Sequence, residues 1–258
     1  MEKYKEIFDL ILETIIRNST YPRETVLSKF ERFKHFDFES FDDHYLYQVL
    51  AYIPFYAGMR SKTVTNKIDA IKGYFSDYKT VARYTNSEIN KIMMDPKMIR
   101  HPAKIGAAII NAKKVERIVQ RHGSFKAYLG SLHFNRSQKD LENAAATLMQ
   151  TFSYLGPATV HHFLTDIGAK TIKPDRVIMR VFSRLKLIEN VSQTDEARRV
   201  SNLFVEATGY SHRYVDIVIV KLGHVEDDID LGLPQGICLE NGPRCNKCLV
   251  IKHCFYKH

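Results

Sequence analysis

Residues 152–187 read FSYLGPATVHHFLTDIGAKTIKPDRVIMRVFSRLKL, and the fold turns on how this stretch divides into helices. A helical pattern from Leu141 ends at Phe152, the turn Leu155-Gly156-Pro157 follows, and a second helix opens near Ala158 and runs over Thr159 to Asp166. A short glycine-bearing turn of this kind leaves backbone amides at the new helix start, where they and the helix dipole can hold a phosphate without reading sequence. The same turn also serves simply to join two packed helices. Nineteen residues after Gly156 stands Asp175, behind Lys173-Pro174 and leading a further helical pattern, Val177 to Leu185, with Arg180 and Arg184 near one face. An acid at a helix start is first of all a cap.

Outward from this stretch, helical periodicity recurs along the whole chain. Ile7, Leu10, Ile11 and Ile15 share one face of a first helix. A polar, aromatic-rich connection is expected from about Thr20 to Asp43, then a buried helix over His44 to Ile53. Val64, Ile68, Ile71 and Phe75 mark the next helix by spacings of four, three and four. Thr85-Asn86-Ser87-Glu88 has the form of a capping box, and Pro102 suits a first helical turn whose apolar face continues through Ile105, Ala108, Ile109 and Ala112 to a stop at Gly123. Ala197 to Thr208 and Tyr214 to Leu222 complete the set. The chain is expected to be all-α, with two helical lobes: a central domain over 45–165 that ends in the hairpin, and a second domain made of 1–44 plus 166–258.

Composition narrows the classes. Of 258 residues 45% are hydrophobic and 26% charged, the balance of a globular protein rather than a disordered one. Twelve Gly and eight Pro leave little turn chemistry for a many-stranded β fold. No apolar run approaches the roughly 20 residues that cross a bilayer, and acids interrupt the apolar start of the chain, so a cytoplasmic protein without a membrane partner is expected. Lys and Arg exceed Asp and Glu by nine, which suits a polyanionic partner as well as simple solubility.

All four cysteines, Cys238, Cys245, Cys248 and Cys254, fall within 17 residues near the C-terminus, spaced C-x6-C-x2-C-x5-C. A disulfide framework would spread its pairs to close long loops, so clustered thiols point to a metal centre over 238–254. Four thiolates suit a closed zinc site as well as an iron-sulfur cluster.

Hairpin, spaced aspartate and cysteine tail, in this order, resemble the helix-hairpin-helix base-excision DNA glycosylases. The tail CLENGPRCNKCLVIKHC, including the Pro-Arg before its second Cys, resembles the 4Fe-4S loop of their endonuclease III branch. A second resemblance covers the middle of the chain. Phe55-Tyr56-Ala57-Gly58-Met59 with Thr63-Val64 further on, the run Met98 to Ile105, Asn111-Ala112, Gly123-Ser124-Phe125 and Leu155-Gly156-Pro157 are similar to bacterial 3-methyladenine DNA glycosylase.

These resemblances imply an enzyme that hydrolyses the N-glycosidic bond of a damaged base in double-stranded DNA, an alkylated purine such as 3-methyladenine. Asp175 is then the catalytic carboxylate, because a negative charge stabilises the sugar cation that develops as the base leaves. Bifunctional relatives place a lysine nucleophile at the position of Ala158, and alanine cannot attack, so a monofunctional enzyme is implied. Leu155, Gly156, Ala158, Thr159 and Arg244 are the implied DNA contacts, and Met59 the apolar wedge that fills the gap left by a flipped base. Phe55, Tyr56 and Tyr154 are candidates to line the base pocket, a role that competes with plain core packing. Ile53 stands where the 3-methyladenine enzymes have an acid, which separates this chain from them in its pocket. A uracil or mismatched-base glycosylase and a non-catalytic DNA-structure-binding iron-sulfur protein are the alternatives. A monomer associated with the nucleoid is expected, with the cluster as cofactor and zinc as the minor alternative.

Overall fold

The computed structural model describes residues 1–256. In chain order its helices are α1 (Glu2–Asn18), α2 (Arg23–Glu31), α3 (Asp43–Tyr56), α4 (Ser61–Thr65), α5 (Ile68–Tyr74), α6 (Tyr78–Val81), α7 (Asn86–Met94), α8 (Pro102–His122), α9 (Phe125–Ser131), α10 (Gln138–Thr151), α11 (Pro157–Asp166), α12 (Arg176–Arg184), α13 (Thr194–Thr208) and α14 (His212–Gly223). Among the described residues there is no β-strand, only one isolated bridge between Asp228 and Leu233. None of these helices is long and apolar enough to cross a membrane. The chain forms two compact units, residues 38–169 and residues 1–37 together with 170–258.

The 38–169 unit is built on α3 and α8. Asp42 caps α3 by accepting the Tyr45 N–H at 2.8 Å, and Leu46, Val49, Leu50 and Ile53 are then fully buried. Ile105, Ala108, Ala112 and Val115 repeat at helical spacing on α8 and face the same core, the small alanines permitting close approach. Thr85 and Glu88 do form the capping box of α7, with Thr85 N–H donating to Glu88 Oε2 at 2.8 Å. The pattern from Val64 to Phe75 is not one helix. It breaks into α4 and α5 at Asn66-Lys67, where Lys67 leaves helical geometry (φ −117°, ψ 6°) and its ammonium donates to the carbonyls of Pro96 and Met98, a long-range contact that the apolar spacing does not encode.

In the other unit α1 packs on α13, α14 and the cysteine segment. Phe8, Phe204, Tyr210 and Tyr214 form an aromatic cluster there, with the Tyr210 and Tyr214 ring centroids 4.4 Å apart. The connection expected from Thr20 to Asp43 contains a helix, α2, which buries Val26 and Phe30 at a spacing of four. Three apolar residues, Val26, Leu27 and Phe30, within so short a stretch gave too faint a period to stand out of the polar sequence around them.

Candidate functional site

The hairpin between α10 and α11 is held from behind by one buried amide. Asn111 on α8 accepts the Ser153 N–H at 2.8 Å and donates to the Ser153 carbonyl at 3.0 Å, so both backbone groups of that residue are paired. Tyr154 then takes a left-handed conformation, φ 62°, which lifts its ring to the surface while Leu155 turns into the core. At the start of α11, Thr159 Oγ1 accepts the Gly156 N–H at 2.7 Å and donates to the Tyr154 carbonyl at 3.0 Å. Pro157 and Ala158 are exposed in the first turn. Gly156 has φ −93°, and a Cβ added to it would meet nothing closer than Thr159 Oγ1 at 4.0 Å. No atom of the protein itself requires a glycine there. The open side of the turn is thus left clear for a group that approaches the backbone closely.

Asp175 caps α12. Its Oδ1 accepts the N–H groups of Val177 at 2.9 Å and Ile178 at 3.0 Å, which leaves Oδ2 outside the cap, and the side chain is half-buried. Just before it, the Lys173 N–H donates to Oδ1 of Asp216, a carboxylate buried in α14. On the same helix, Arg180 donates to the carbonyls of Cys238 at 3.0 Å and Gly223 at 2.6 Å, and Arg184 to those of Leu239 and Glu240 and to Cys238 Sγ at 3.3 Å. One helix therefore carries the capped aspartate at its start and grips the cysteine segment through its two arginines.

The four thiols line one cavity with Arg184, Ile237, Ile251 and Tyr256, and the Tyr256 ring lies 4.1 Å from the Arg184 guanidinium carbon. Among the described residues no group of three Cys, His, Asp or Glu is arranged to hold a metal ion. Burial, with the three neighbouring sulfurs adding to it, pushes the Cys248 thiol up to about 11. Burial and two other sulfurs likewise raise Cys245. Four thiols around one cavity are the donor type that a closed zinc site or an iron-sulfur cluster uses, and a bound cation would offset the charge of their thiolates. The segment is tied to α1: the Leu249 N–H donates to Thr14 Oγ1 at 3.1 Å, Lys252 pairs with Glu6, and Asn18 donates to the Lys247 carbonyl. Arg244 is half-buried and donates to the Gln235 carbonyl at 3.2 Å.

The third group of predicted residues lies at the end of α3. Phe55 is fully buried with its ring against Phe75, a core position, while Tyr56 and Met59 are half-buried and Gly58 turns the chain with φ 67°. The Lys104 side chain, almost wholly buried, closes this end by donating to the carbonyls of Phe55 and Ala57, and burial lowers its pKa. Tyr56 meets the His162 ring edge-on at 4.7 Å, and Tyr52 and His162 both reach Asp166 Oδ2, at 3.0 and 3.3 Å. His101 caps α8 by accepting the Lys104 N–H on its ring Nδ1. Sequence reasoning gave no role to Asn111, Lys104 or Asp216. For Asp216 the available signal was a lone carboxylate inside the apolar run Tyr214 to Val220.

The helices and the hairpin have the fold of the helix-hairpin-helix DNA glycosylases. The 8-oxoguanine DNA glycosylase of Thermotoga maritima aligns over 83% of this chain and 96% of its own, at 17% identity and a TM-score of 0.51. The Methanocaldococcus jannaschii 8-oxoguanine DNA glycosylase aligns over 86% and 94%, at 15% identity and 0.50. These likenesses are of fold. The 3-methyladenine DNA glycosylase I of Staphylococcus aureus is 24% identical, over 59% of this chain and 88% of its own, with a TM-score of 0.47. The methyladenine glycosylase family profile matches residues 34–171, more than half of the sequence, and the chain belongs to that family. It is a DNA-repair N-glycosylase that removes damaged bases.

Proposed function

We propose that the enzyme releases an alkylated purine, such as 3-methyladenine, from double-stranded DNA by hydrolysis and leaves an abasic site. The observation that carries this reading is Asp175, whose cap occupies Oδ1 and leaves Oδ2 for the sugar. As the bond between C1′ and the base breaks, positive charge grows on the deoxyribose; the Asp175 carboxylate stabilises it and orients the water that adds to C1′, while the base departs with the bonding electrons. The α11 amides and Thr159 hold a phosphate, with the exposed Ala158 against the backbone and Leu155 anchoring the turn from the core, and Arg244 adds a basic group on the cysteine segment. Met59 fills the place of the flipped base, and Tyr56 and Tyr154 offer the aromatic surface that selects it by stacking and shape.

Ala158 occupies the first turn of α11, where a Schiff-base lysine would have to stand, so the enzyme is monofunctional. The four cysteines hold a 4Fe-4S cluster whose work is structural, keeping the segment that α12 grips in place; its chemistry is not used in hydrolysis. The protein acts as a monomer on chromosomal DNA in the cytoplasm.

The test is a panel of duplexes, each with one modified base, scored for base release with and without later alkaline cleavage. Release of alkylated purines with strand scission only after alkali is expected. Scission without alkali would overturn the reading of Ala158, and preference for uracil or 8-oxoguanine would overturn the substrate. Iron and acid-labile sulfide in equal amounts in the purified brown protein are expected of the cluster, whereas a colourless protein holding zinc would remove it.

A further inference from the structure

We infer that Asp216 is a positioning residue for catalysis, a buried carboxylate that holds the turn carrying Asp175 in its working geometry. The inference rests on the reading of Asp175 as the catalytic group. Asp216 is 2% exposed within α14, in the apolar run Tyr214 to Val220. A carboxylate taken out of water there costs several kcal/mol unless its oxygens are paired, and both are. Oδ1 accepts the Lys173 N–H at 3.0 Å, and Oδ2 accepts from Arg213 Nη1 at 2.8 Å. Lys173 is followed by Pro174, which has no N–H and a fixed φ, and then by Asp175, whose N–H donates to the Lys173 carbonyl at 2.7 Å. A rigid turn of three residues thus hangs from a single buried acceptor. Moving that acceptor moves the carboxylate of Asp175.

The charges around Asp216 make the device sensitive to pH. Burial pushes its carboxyl up to about 6, the Arg213 guanidinium opposes the shift and the Asp175 carboxylate adds to it. The charged groups acting on it are Arg213 from its own helix and Asp175 and Lys173 from the segment that leads α12. Of the helices packed on α14, α1 meets it through apolar groups such as Phe8, whose ring lies 5.9 Å from Tyr214, α12 brings Arg180 to the Gly223 carbonyl at the far end of α14, and α13 brings the Asn202 amide to His212. Above this pKa Asp216 is an anion that accepts on both oxygens. Below it, one oxygen carries a proton and repels the donor it faced, so the turn loosens and base release slows.

The experiment measures single-turnover release of methylated purines from dimethyl-sulfate-treated duplex DNA across pH 5 to 8.5, together with binding to a duplex bearing a tetrahydrofuran abasic analogue. Wild type is expected to show an acid limb near Asp216's pKa of about 6. Asp216→Asn should lower the plateau on the order of tenfold and remove the limb, with abasic-site affinity unchanged. Arg213→Gln keeps the carboxylate but removes its cation, so the limb should move to higher pH. A limb that stays in place in both folded variants would overturn the inference. Undiminished release by Asp175→Asn would instead overturn the reading of Asp175, and the two failures are thereby told apart.

Discussion

The starts of α11 and α12 solve the same physical problem in opposite ways. Every helix begins with amides that lack intrahelical partners, and the dipole concentrates positive charge beside them. At α12 the protein supplies its own anion: Asp175 reaches over two amides. At α11 the cap position is Gly156, which has no side chain to offer, and Thr159 only ties down the glycine's own N–H. In the proposed function the start of α12 keeps a carboxylate in place for chemistry, and the start of α11 stays open to an anion from outside.

The largest break in that comparison is Asp175→Asn. Asparagine caps a helix about as well as aspartate, so the melting temperature should hardly move, while base release should fall by about 10² to 10³, the scale of losing one electrostatic stabiliser of a transition state. Calorimetry and single-turnover kinetics on one preparation check both halves. Next comes Asn111→Ala, which strips the hairpin of its rear support. Leaving Ser153 unpaired should cost about 1 to 3 kcal/mol, read by denaturant unfolding, and weaken DNA binding with it.

Gly156→Asp moves the device of α12 to α11. The new carboxylate fits, since no atom lies within 3.4 Å of a Cβ there, and it should add a few tenths of a kcal/mol to stability. Affinity for duplex DNA should nevertheless drop on the order of tenfold, and the salt dependence of log Kd should lose about one unit of slope. Unchanged affinity would show that α11 takes no phosphate. The smallest effect is expected for Asp175→Ala in place of Asn, which should add a stability loss of about 1 kcal/mol to the same loss of activity, because alanine cannot cap.

Features confined to a few neighbouring residues were legible before any coordinates. The Thr85 to Glu88 box formed as read, and α1, α3 and α8 sit where their apolar spacing puts them. The hairpin turn was legible for the same reason, since Gly and Pro act on the backbone within one or two residues of themselves. Interactions between distant residues were not. Lys67, where a helical pattern breaks, reaches Pro96 and Met98, and Asn111 holds a residue 42 positions away. Tyr154 adopts a positive φ that no propensity assigns to tyrosine. Phe55 and Tyr56 are adjacent aromatics within α3, and their split between core and half-buried surface depends on which face of that helix packs inward, which distant elements such as α8 decide.

The sequence by itself determined the helical class, the hairpin, the aspartate spaced after it and the crowded thiols, because periodicity, turn chemistry and motif spacing are local quantities. Tertiary structure decided what each of these does. Only folding brings Arg180 and Arg184 of the helix that Asp175 caps onto the cysteine segment, and sets Asp216 under Lys173. A side chain buried far along the chain acquires its partner through packing, and the energies that fix such a partner are summed over the whole core rather than written in any one stretch of it.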